Sequence, residues 1–77
     1  MKRMMHEPIV ISRHLLRRTA RAEERKLQQH IEQRHYGSPS VYRGTTHIPA
    51  WVHGARVEPT VRGPFGWKVV GTENQAR

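Results

Sequence analysis

From Ser12 to Tyr36 the chain reads SRHLLRRTARAEERKLQQHIEQRHY, the longest run in its 77 residues without glycine or proline. A stretch this long and uninterrupted reads as one helix, and it leaves only short pieces for everything else. Ser12 stands where an N-cap accepts a backbone N–H, Ile11 and Leu16 are spaced as a hydrophobic staple, and Gly37 sits where a left-handed residue closes a helix. At about 100° per residue Leu16, Ala20, Leu27 and Ile31 share one narrow face, while Arg17, Arg18, Arg21, Arg25 and Gln28 share another roughly a third of a turn away. One face packs; the other meets something anionic.

Around this helix the elements are brief. Pro8 introduces Ile9, Val10 and Ile11, a β-branched run suited to an edge strand over 8–11. Residues 37–49, GSPSVYRGTTHIP, have the composition of a loop. In it Tyr42 beside Arg43 offers a stacking ring next to a phosphate-binding cation, or else folds back with Val41 onto the helix. After Pro49 the hydrophobic period changes to two across AWVHGARVE, and a second run, Trp67 to Val70, follows the turn-forming RGPFG, so 50–58 and 66–71 read as arms of a β-hairpin. The expectation is a single small α+β domain over 1–77: a long N-terminal amphipathic basic helix at 12–36, packed on a hairpin at 50–71 or a three-stranded sheet. Residues 1–7 read as a mobile basic arm and 72–77 as a frayed tail. Leu16, Leu27, Ile31, Trp51, Val57, Trp67 and Val69 are the expected core, the tryptophans being the largest side chains available to bury.

Composition narrows the class of partner. Only 35% of residues are hydrophobic, against roughly 45–50% in a tally that includes glycine for ordinary domains. The core is therefore thin, and a partner or a second copy would add to it. Fourteen Lys and Arg against six acids give a formal charge of +8, with Arg far in excess of Lys. Guanidinium groups bind phosphate bidentately and stack on bases, so the balance points to nucleic acid or a nucleoprotein machine. The start, MKRMMHEPIVI, has too short an apolar run for a signal peptide, and no stretch approaches the roughly 20 apolar residues of a membrane span. With no cysteine in the chain, the expected location is a reducing cytoplasm.

Catalytic inventory is poor. There is no Asp and no Cys, the glutamates are scattered, and no phosphate-binding glycine loop occurs. His30 and His35, five residues apart, do not share a helix face as zinc ligands would, and with Arg34 they read as favourable charges at a helix C-terminus. No metal or cofactor is expected. One enzyme class remains open, a metal-independent ribonuclease using Tyr42, Arg43, His53, Arg56, Arg62 and Lys68; with its helix before its sheet the chain is similar in shape to bacterial toxin ribonucleases of the RelE type. The segment LLRRTARAEERKLQQ resembles the arginine-rich helices with which lambdoid phage antiterminators grip an RNA hairpin. That resemblance implies RNA rather than DNA as the favoured partner.

Two functions from different classes follow. The first is a small nucleic-acid-binding accessory or regulatory protein, with Arg13, Arg17, Arg18, Arg21 and Arg25 on phosphates and Tyr42 and Arg43 nearby. The second is a protein-binding regulator or assembly factor, such as a phage-type protein docking on a host transcription, translation or defence complex. It would use Leu15, Leu16, Leu27 and Ile31 to complete a partner's core or a homodimer.

Overall fold

The computed structural model describes residues 6–35, 37–61 and 66–73. The expected arm up to Met5, Tyr36 at the end of the expected helix, Arg62 to Phe65 of the turn, and residues 74–77 of the expected 72–77 tail lie outside them. In chain order the elements are β1 (Ile9–His14), α1 (Arg17–Gln33), β2 (Ser40–Tyr42), β3 (Thr46–Ile48), β4 (Gly54–Pro59) and β5 (Trp67–Thr72). The fold is α+β. One helix packs against a three-stranded antiparallel sheet of order β1-β5-β4, and β2 and β3 form a separate antiparallel pair.

The first strand is longer than its sequence suggested, and the helix correspondingly shorter. β5 supplies ladder partners for β1 as far as His14 opposite Trp67, so Ser12 lies in a strand instead of capping a helix, and its hydroxyl meets His14 Nε2 at 2.8 Å. A bulge between Val10 and Ser12 shifts the register. Without it, strict alternation would send Arg13 toward the helix-covered face, where a guanidinium would lose its hydration. The extra residue turns Arg13 outward beside Lys68 instead. The N-cap is Leu16, which has no side-chain cap, and the first turn holds no acid. Leu16 is 49% exposed, so neither the staple with Ile11 nor a core role for Leu16 is realised.

At its other end the helix stops at Arg34, and Gly37 adopts φ +78 within a later turn closed by Ser38 N–H to His35 O at 3.1 Å. Arg34 does more than complement the helix terminus. Its guanidinium donates to the carbonyls of Pro49 at 3.1 Å and Ala50 at 2.9 Å, and also to that of Val52. These bonds tie the helix end to the turn that delivers β4. That turn, with Val52 N–H to Pro49 O at 3.1 Å, takes the first half of the AWVHGARVE run, so the strand begins at Gly54. His6, expected in a mobile arm, stacks on Trp51 at 4.3 Å and donates its N–H to Glu73 Oε1 at 3.1 Å.

The expected 37–49 loop contains the β2–β3 hairpin. Arg43 and Gly44 both take positive φ, 55 and 79, the sign pattern of a primed turn that matches strand twist. Ser40, Tyr42, Thr46 and Ile48 point inward and Val41 and His47 outward.

The core joins Ala20, Leu27 and Ile31 of the helix to Tyr42, Ile48, Val52, Ala55 and Val69. Trp51, Val57 and Trp67 are only half-buried at its margin. Val52 settles over glycine: a Cβ at Gly71 would stand 3.0 Å from its Cγ1. Leu27 is fully buried, so Leu27→Ala is expected to cost about 2–5 kcal/mol. Leu16→Ala is expected to stay within about 0.5 kcal/mol. Urea denaturation of both variants checks this, and equal losses would contradict the packing.

Candidate functional site

The rotation of α1 on the sheet separates its two flanks. Around the axis Arg21 and Glu23 stand about 160° apart, and each flank meets a different part of the fold.

On one flank Glu23 is 8% exposed. Its carboxylate accepts a hydrogen bond from the Tyr42 hydroxyl and lies 3.0 Å from Arg43 Nη2, so the charge is both paired and hydrogen-bonded, as a buried carboxylate requires. Arg43 also lies over the Tyr42 ring at 5.6 Å. His30, two turns further along the same flank, meets Ser40 Oγ at 2.9 Å and the edge of Tyr42 at 5.2 Å. Tyr42 and Arg43 therefore hold the β2–β3 hairpin against the helix.

On the other flank Arg17, Arg21 and Arg25 recur one turn apart, about 6 Å along the axis, and face the edge strand β4. Two adjoining recesses of about 380 and 390 Å³ run between helix and strand. The first is lined chiefly by Arg21, Arg25, Gln28 and Ala55, the second by Arg17, Arg56, Val57 and Trp67, and both share Arg21 and Glu24. They form one trough. Gln28 fixes its wall, its Oε1 accepting Ala55 N–H at 3.1 Å while its Nε2 donates to Glu32 at 3.1 Å. Arg17 lies over the Trp67 ring at 5.5 Å. Glu24 lies 3.8 Å from Arg21, an exposed pair worth little in water, and Arg56 is bound to Glu58, which also lies 3.9 Å from Lys68.

Of the residues singled out from sequence, the structure brings Arg17, Arg21 and Arg25 together. Arg18 faces solvent near the back of the helix. Arg13 is on β1, beside Lys68 on the uncovered face of the sheet. Tyr42 and Arg43 are on the opposite flank, engaged by Glu23. Leu15 and Leu16 are 62% and 49% exposed, but Leu27 and Ile31 are buried in the chain's own core and are not available to a partner. Of the residues named for ribonuclease chemistry, Tyr42 and Arg43 belong to the Glu23 cluster and Arg56 and Lys68 to that of Glu58, His53 Nδ1 is 3.2 Å from Glu73 O, and Arg62 lies outside the described residues. Among the described residues no three His or Glu side chains converge as metal ligands would, and no helix is long and apolar enough to cross a membrane.

Arg56 and Trp67 join the trough without having been read as part of a site with the arginines. Arg56 lies in a period-two run and Gln28 shares the arginine face, but nothing local says that β4 passes beside α1. No family model, curated protein or solved structure matches the chain.

Burial, followed by the hydrogen bond to Glu23, pushes the Tyr42 phenol above its ordinary value. An unfolded tyrosine titrates near about 10. Between that value and the higher native one the folded state holds more protons, so the contribution is complete below the unfolded value and is lost as pH rises toward the native one. Urea midpoints from about pH 8 to about pH 11 should fall more steeply for the native chain than for Tyr42→Phe; parallel curves would contradict the buried contact.

Proposed function

We propose that this protein is a small basic accessory or regulatory factor that binds nucleic acid, RNA favoured over DNA, through the arginine flank of α1. The observation that carries the reading is the placement of Arg17, Arg21 and Arg25 along one trough beside the edge strand β4. Their three guanidinium groups outnumber the lining acids Glu24 and Glu32, and guanidinium suits bidentate phosphate binding. The formal charge of +8 adds long-range attraction for a polyanion. The preference for RNA draws on the likeness of the segment to arginine-rich RNA-binding helices, and the cytoplasm as its location on the lack of cysteine.

A second reading, a protein-binding regulator or assembly factor, draws on Leu15 and Leu16, exposed side by side where β1 gives way to α1.

Salt separates the two. Neutralising about four phosphates gives a slope of log K against log salt of roughly −3 to −4, and each arginine removed reduces it by nearly one. Replacing Arg17 and Arg21 together by Glu should abolish retention on RNA or DNA while the circular dichroism spectrum stays unchanged, since both side chains are exposed. Unchanged retention in that double variant would reject the arginine flank as the site.

A further inference from the structure

Resting on that nucleic-acid reading, we infer that the trough takes a single strand, with its phosphates on Arg17, Arg21 and Arg25 and its bases turned toward the edge of β4 and the Trp67 indole. The backbone of β4 supplies the first argument. β4 is an edge strand, bonded to β5 on one side only. Ala55 N–H goes to Gln28 Oε1 and not to β5, while Thr60 N–H, beyond the strand, bonds Gly66 O at 2.9 Å. Alternation in an antiparallel ladder then directs the even-numbered residues of β4 to β5 and the peptide groups of Ala55 and Val57 to the open edge. Ala55 and Val57 both line the trough, so Val57 N–H and C=O and Ala55 C=O belong to the sheet edge that borders it.

Peptide donors and acceptors at the edge of this open recess suit unpaired bases, whose Watson–Crick edges are accessible only when splayed from a duplex. Trp67 adds a π-face in the same recess, half-buried and already covered by a guanidinium at 5.5 Å, the arrangement in which bases stack on aromatic and arginine planes. A duplex fits less well. Its major groove admits a helix by its outward face, whereas these arginines lie on a flank with the sheet edge directly beside them.

An extended acidic peptide adding a strand to β4 is the competing occupant. The edge offers it little. Gln28 occupies Ala55 N–H and Pro59 has no N–H to give, so Val57 alone presents both a donor and an acceptor. Pairing with a second copy through this edge would bring two arginine rows together, a like-charge conflict of the kind that protects edge strands.

The test uses a labelled oligouridylate of about 12 nucleotides and an RNA duplex of the same length, in anisotropy titrations at about 0.1 M salt. The single strand should bind at least about 10-fold more tightly. The chain has two tryptophans, which allows a second readout. In Trp51→Phe the remaining indole is Trp67, and its emission should be quenched by the single strand; in Trp67→Phe the remaining indole stacks on His6 and should not respond. A duplex bound as tightly or more tightly, or quenching in Trp67→Phe but not in Trp51→Phe, overturns the single-strand inference and leaves the nucleic-acid reading standing. Failure to bind either oligonucleotide overturns both, and binding of oligoglutamate in their place assigns the trough to a peptide.

Discussion

Leu27 is fully buried, and with Ala20 and Ile31 it fixes the rotation of α1 over the sheet, in one cluster with Ala55 and Val69. Nearly every surface property of the molecule depends on that rotation. A helix carrying this much charge has few apolar positions to bury, and these three, at spacings of four and seven, admit only one face toward the sheet. Once that stripe is seated, Glu23 falls on the side of the β2–β3 hairpin and Arg17, Arg21 and Arg25 fall on the side of β4. The arginine row has its position because the core leaves it no other.

The two flanks illustrate opposite treatments of charge. Glu23 is enclosed, and its cost of desolvation is offset by the Tyr42 hydroxyl and the Arg43 guanidinium. Arg43 holds this place from a residue with φ 55, a conformation that disfavours side chains other than glycine, so the turn and the ion pair depend on one another. The β4 flank is open. Its cations are paired weakly, as Arg21 with Glu24, or rest on an aromatic ring, as Arg17 on Trp67. Such exposed contacts cost little to break, whereas opening the enclosed Glu23 cluster is costly.

Much of this arrangement was legible in the sequence. The helix and the Ala20, Leu27 and Ile31 part of its stripe followed from the run without glycine or proline and its helical spacing, though Leu16, read on the same stripe, is exposed. The α+β class and the pairing of the last two strands followed from the change of hydrophobic period after Pro49 and from the turn residues between Trp51 and Trp67. What misled was the absence of glycine and proline between Ser12 and Arg17. The ladder offered by β5, distant in sequence, overrides local helix propensity there, and the bulge at Ile11 has no local signature. The hairpin inside 37–49 was hidden by its loop-like composition, although the alternation of Ser40 with Tyr42 and of Thr46 with Ile48 around Arg43-Gly44 carried a period-two signal. For the candidate site, the row at 17, 21 and 25 was readable from helical spacing alone. Its separation from Tyr42 and Arg43, and its approach to Arg56 and Trp67, depend on tertiary packing that spacing does not encode. Glu23 read as one of several scattered glutamates, and nothing local showed that the β2–β3 hairpin would cover it.

On the proposed reading the β4-facing flank of α1, and neither the hairpin flank nor the outer face of the sheet, meets the polyanion. Mapping backbone amide and arginine Nε chemical shifts during titration with single-stranded RNA tests it most directly. The account predicts shifts concentrated at Arg17, Arg21, Arg25, Gln28, Ala55 and Val57, with Tyr42, Arg43, Arg13 and Lys68 unmoved. Shifts concentrated at Arg13 and Lys68, or at Tyr42 and Arg43, with the helix arginines silent, would contradict it.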